Sequence, residues 1–230
     1  MLFDPIFLLI MGVGFLASLG AQLWVRGETS RWQRYASRSG LSGAQLARLL
    51  LDRAGLYHVR VEPVAGWLSD HYDPRSRTLR LSLAHFRGRS LTAIGVAAHE
   101  AGHALQHRDG YWAMELRQRA VPVANLGSAL GLWLVLLGLL LGATSLASVG
   151  VLLFGGFVAF TLLTLPVEFD ASRRALLQLQ RLGLFSAAEV AAARRVLHAA
   201  AATYLAAALT AVLEFAYYAW AAFGLAQEEG

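Results

Sequence analysis

Residues 99 to 103 read His-Glu-Ala-Gly-His, two imidazoles four positions apart with a carboxylate between them. On a helix, residues four apart project from one side, so His99 and His103 can reach a single metal ion with Glu100 beside it. Zinc held by two imidazoles and one carboxylate keeps a fourth position for water. The pKa of that water falls to roughly 7, and a glutamate within reach can take its proton. That combination hydrolyses amides. The chain has no Cys, which excludes thiolate ligands, disulfides and cysteine nucleophiles. The blander reading is a pair of structural histidines on an exposed helix, with His107 and Arg108 one turn further along.

A third ligand is required, and carboxylates recur at Glu168 and Asp170, directly after a long apolar stretch. Helix spacing there puts Glu168 and Ser172 on one face. Glu168 is the expected ligand and Asp170 the alternative; otherwise Glu168 only ends an apolar span. The segment Asp70-His71-Tyr72-Asp73-Pro74 is a further candidate. A strand there could take an extended peptide at its edge, and His71 or Tyr72 could donate to a tetrahedral oxyanion. Equally, Asp73-Pro74 makes a turn and Tyr72 a packed aromatic.

The motif needs a helix, and Ser90 followed by LTAIGVAAHEAGHALQH predicts one over about 91–107. Gly95 and Gly102 cost that helix about 1 kcal/mol each relative to Ala, which points to close approach by another element. Ser42 with Gln45 forms a capping box ahead of a helix ending near Gly55, with Leu46, Leu49 and Leu50 at helical spacing. Residues 57–64 alternate like a strand, and WLSDHY and TLRLSL flank the turn residues 73–77, which predicts a small sheet or hairpin. Ser186 and Glu189 form a second capping box. His58, His85 and His198 read as surface or interface residues.

The remainder is apolar. Of 230 residues, 57% are hydrophobic, and the mean hydropathy of +0.49 is that of a membrane protein. Uncharged stretches at 5–25, 121–143 and 146–167, with Thr144 and Ser145 as the turn between the last two, are long enough to cross a bilayer. A fourth span, 199–224, carries Glu214, which is functional or incidental according to whether it faces a polar groove. If 5–25 crosses once and 121–167 is a hairpin, the polar regions 26–120 and 168–198 share a side. All 20 basic residues are Arg and lie in those two regions, so the positive-inside rule makes that side cytoplasmic. The net charge of +5 is therefore topological, and no nucleic-acid partner is expected.

HEAGHALQ, PVEFDASRRAL after the hairpin and LSDHYDPRSRTLRLS upstream, taken together over about residues 30–215, resemble the YugP-like family of neutral zinc metallopeptidases of bacterial membranes. The resemblance implies zinc bound by His99, His103 and a downstream glutamate, placed at Glu168, with Glu100 as catalytic base. A more distant similarity is to HtpX and CAAX-type membrane peptidases, whose third ligand opens a Glu-Phe-x-Ala-Asp pattern. Here Ser172 stands where that aspartate would orient a ligand histidine, so Asp170 or Ser172 takes that place.

The expected fold is a mainly α membrane protein: about four transmembrane helices and a small cytoplasmic α+β zincin-like unit carrying the HExxH helix. The expected function is that of a zinc-dependent, gluzincin-like metalloendopeptidase in the bacterial inner membrane, acting on protein or peptide substrates near the cytoplasmic surface. The competing reading is a non-proteolytic scaffold or chaperone stabilised by zinc. A glutamate between the ligands speaks against it, because a structural site needs no base.

Overall fold

The computed structural model describes residues 4–66 and 69–228. Trp67 and Leu68, expected at the start of a hairpin strand, and Glu229 of the acidic end lie outside them. In chain order the elements are α1 (Pro5–Gln33), α2 (Gly43–Arg53), β1 (Arg60–Val64), β2 (His71–Asp73), β3 (Thr78–Ser82), α3 (Leu83–Arg87) and α4 (Leu91–Arg108). After these come α5 (Trp112–Leu126), a π-helical stretch (Gly127–Gly131), α6 (Leu132–Leu141), α7 (Thr144–Leu182) and α8 (Ala187–Glu228). The fold is mainly α with one small sheet. Four helical stretches are long and apolar enough to cross a membrane: Pro5–Gln33, Trp112–Leu141, Thr144–Leu182 and Ala187–Ala222.

The described residues form two compact units. One comprises residues 4–21, 115–166 and 203–228, the other 22–66, 69–114 and 167–202. In the first, buried Val135, Leu139, Val151, Phe154 and Val158 pack with Tyr217, Tyr218 and Ala222 of α8. Large apolar side chains such as Leu9, Phe15, Leu140 and Leu152 stay exposed, as expected of surfaces that meet lipid. The hairpin turn differs from the sequence expectation. Gly142, with φ of 66°, terminates α6, and Thr144 and Ser145 already belong to α7. That left-handed conformation costs glycine nothing, and a helix commonly stops where one is available.

In the second unit α4 is the central element. Ser90 caps it, its side chain accepting from the Ala93 amide at 3.1 Å. Most of the helix is buried, with α2 against it through Leu46, Ala47, Leu50 and Leu51. Both halves of the Ser42–Gln45 capping box form. The Ser186–Glu189 box forms as well, and Glu189 also accepts from the Arg38 amide at 2.8 Å, so one carboxylate caps α8 and ties down the loop before α2.

The three strands are ordered β1-β3-β2, with β2 antiparallel and β1 parallel to β3. The hairpin around residues 73–77 is thus present, whereas the strand expected over 57–64 is confined to Arg60–Val64. One expectation is overturned. His85 is 3% exposed, inside the unit, because its ring is drawn into a buried hydrogen-bonded pair with Asp70.

Candidate metal centre

Helix α4 presents His99 and His103 on one face, their rings 4.7 Å apart and nearly perpendicular. Opposite them, α7 presents Glu168, 3% exposed. Its Oε2 lies 3.2 Å from Nε2 of His99 and 3.6 Å from Nε2 of His103. One donor atom from each of the three residues falls within 4.8 Å of the others. Two imidazole nitrogens and a carboxylate oxygen converging in this way form a donor set suited to zinc. The chemistry of the residues fits the ion.

The approach of α7 to α4 depends on Gly102. A Cβ there would stand 2.5 Å from the carbonyl oxygen of Ala171, so only glycine lets the two backbones meet at this level. Gly95 faces Ala193 of α8 at an ordinary 3.5 Å.

Glu100 is 7% exposed. Burial pushes its carboxyl pKa up, the charges of His99 and His103 pull it down, and the net displacement is upward. Among the described residues no hydrogen bond engages its carboxyl oxygens, which leaves them open to a water or substrate proton. At Glu168 the same carboxylate oxygen, Oε2, faces Nε2 of both histidines.

Further polar side chains stand behind His99 and His103. Ser172 Oγ lies 3.1 Å from Nδ1 of His99. Gln106, fully buried, places Oε1 3.0 Å from Nδ1 of His103 and Nε2 2.8 Å from the Val167 carbonyl oxygen and 3.0 Å from Asp170 Oδ2. Asp170 is paired with Arg174, whose other branch reaches Asp109 at the C-terminus of α4. Asp170 therefore touches neither histidine in this arrangement. Sequence reasoning did not select Gln106. The available signal was its position three residues after His103, which puts both on one helix face.

The 70–85 region contributes two further groups. Tyr72, on β2, has its hydroxyl 2.9 Å from Nδ1 of His107, and burial pushes its pKa up to about 12. The ring of His71 is exposed, with Nδ1 2.8 Å from the Ser69 carbonyl oxygen and Nε2 3.4 Å from Arg80. Neither residue belongs to the donor cluster. Asp70 accepts from the Ser82 amide and pairs with Nδ1 of His85, both at 2.8 Å.

Residues 7–223 match the protein family described as "Putative neutral zinc metallopeptidase". The chain is 46% identical over 209 residues to the "Putative membrane protease YugP" of Bacillus subtilis (strain 168), covering 91% of this chain and 92% of that protein. No solved structure matches the chain.

Proposed function

This chain belongs to the family of neutral zinc metallopeptidases matched above, and from that membership we propose that it is a membrane-embedded zinc metalloendopeptidase, gluzincin-like, cleaving peptide bonds beside the cytoplasmic surface of the bacterial inner membrane. The observation that carries the reading is the convergence of His99, His103 and Glu168, drawn from α4 and α7, around one point with Glu100 alongside.

In this reading His99 and His103 offer their Nε2 atoms and Glu168 its Oε2. Zinc, when bound, supplies the Lewis acidity that makes a water acidic near neutral pH and polarises a carbonyl. Glu100 takes the proton as water attacks the peptide carbonyl carbon, and returns it to the nitrogen as the C–N bond breaks. Its carboxyl oxygens carry no other hydrogen bond among the described residues, which suits that exchange. The buried setting keeps the carboxyl from bulk water and sharpens its interaction with the reacting groups. Placement on the cytoplasmic side rests on the arginines, which lie in regions 26–119 and 173–195 that flank the apolar spans.

The test is zinc content and casein cleavage measured on the detergent-purified protein beside His103→Ala, Glu168→Ala and Glu100→Gln. The first two lose zinc and activity; the third keeps zinc and loses cleavage. Full zinc and activity in Glu168→Ala would remove it from the ligand set and make Asp170 the next candidate. Cleavage that survives Glu100→Gln favours the non-proteolytic zinc-stabilised scaffold and assigns the casein activity to a contaminant.

A further inference from the structure

The two histidines are held from behind by groups of different chemistry. A side-chain amide has an oxygen that only accepts and an amino group that only donates. The Gln106 amide has three neighbours. Val167 offers a carbonyl oxygen, and Asp170, paired with Arg174, offers a carboxylate oxygen. Both only accept, so the amino group must point at them and Oε1 must face His103. Nδ1 of His103, 3.0 Å from that oxygen, is then required to carry a hydrogen, because two acceptors placed together in a buried site repel. The ring's lone pair is left on Nε2, the nitrogen that faces Glu168.

Ser172 cannot impose the same choice on His99. A hydroxyl both donates and accepts, so at 3.1 Å it satisfies Nδ1 in either tautomer. It orients the ring without deciding which nitrogen holds the proton.

We propose that Gln106 is a positioning residue that fixes His103 in the Nδ1–H tautomer with its lone pair aimed at the metal, and that Val167 and the Asp170–Arg174 pair fix Gln106 in turn. This rests on the zinc reading above and deepens it. It makes His103 the preset ligand and His99 the adaptable one. It also runs a continuous set of polar contacts from the ligand to Arg174, which bridges to Asp109 at the end of the same helix.

The experiment uses full-length protein in detergent and three readouts: zinc affinity by chelator competition, the visible absorption spectrum of the cobalt-substituted protein, and the thermal midpoint. Gln106→Leu is expected to weaken zinc binding about 10–100-fold, the usual effect of removing such a partner, and to alter the cobalt spectrum. Ser172→Ala weakens binding less than Gln106→Leu. Gln106→Glu sets a new carboxylate against Asp170 and also weakens binding. Combining it with Asp170→Asn restores a donor facing that carboxylate while an acceptor still faces His103, and recovers part of the loss, since the Val167 carbonyl still opposes the carboxylate.

Wild-type zinc affinity and cobalt spectrum in Gln106→Leu, with only the midpoint lowered, would reduce Gln106 to a packing residue and overturn the proposal. A double variant no better than Gln106→Glu alone would overturn it as well, and that comparison stands even if Gln106→Leu does not fold. His103→Ala serves as the control for the underlying reading: wild-type zinc affinity in that variant removes the zinc site itself, whereas its loss alongside an unchanged Gln106→Leu removes only the positioning role.

Discussion

Gly102 and Ala171 meet backbone to backbone: a Cβ built on Gly102 would lie 2.5 Å from the Ala171 carbonyl oxygen and 3.3 Å from its Cα. One helix carries the two histidines and the other carries Glu168, so this contact sets how closely the three donors converge. Helix propensity alone favours Gly102→Ala by about 1 kcal/mol. The contact predicts the opposite sign, a loss of about 1–3 kcal/mol from overpacking, together with weakened zinc binding as α7 is pushed away from α4. Denaturant unfolding and chelator competition on the purified variant measure both. A stabilised Gly102→Ala with wild-type zinc affinity would show that the two helices separate without moving their ligands.

Asp70 governs a pH dependence that lies outside the ligand set. Burial pushes its pKa up, but the hydrogen bond and charge of His85 and the bonds from Ser82 outweigh that and leave it below its ordinary 3.8. A carboxyl whose folded value lies below its unfolded one contributes stability that is complete above the unfolded value and lost as pH falls through the folded one. Asp70→Asn should therefore cost about 1–2 kcal/mol at pH 7, with the gap to wild type closing as pH drops below about 4. Thermal midpoints of both proteins across pH 3 to 7 test this. A gap of constant size over that range would mean that ionisation of Asp70 is not the source of the stability.

Tyr72 was a candidate to stabilise an oxyanion, but its hydroxyl is hydrogen-bonded to Nδ1 of His107 at 2.9 Å. With the hydroxyl so engaged, Tyr72→Phe is expected to cost about 0.5–1.5 kcal/mol of stability, the net value of one such bond, and to change kcat/KM by less than about threefold. A fall in kcat of about a hundredfold or more at unchanged KM would reverse that assignment. The hydroxyl would then leave His107 in the substrate complex and donate to developing negative charge.

What the sequence made legible follows the range over which each signal acts. The α4 helix and both capping boxes depend on residues within a few positions of one another and stand where pattern and cap chemistry put them, and four apolar helices are present although the turn between α6 and α7 falls at Gly142. Glu168 was reachable because an apolar hairpin that returns must bring its first polar residues back to the side it left. Gln106 was only half within reach, because its spacing to His103 is local whereas its other contacts are not. Its partners Val167 and Asp170 lie 61 and 64 residues away, and no local pattern encodes which side-chain atoms will meet. The burial of His85 was hidden similarly, since α3 is only five residues long and its pairing with Asp70 depends on how β2 aligns beside β3. The parallel pairing of β1 with β3 joins non-consecutive strands, which short-range alternation cannot reveal.

His99 and Glu168 are separated by 69 residues of chain, and the intervening stretch contains the apolar hairpin. A ribosome therefore releases both histidines well before the glutamate emerges, and the glutamate arrives only behind the apolar hairpin. Under the proposed zinc reading, a nascent or prematurely terminated product would hold two of the three donors, and the full set would come together only in the finished chain.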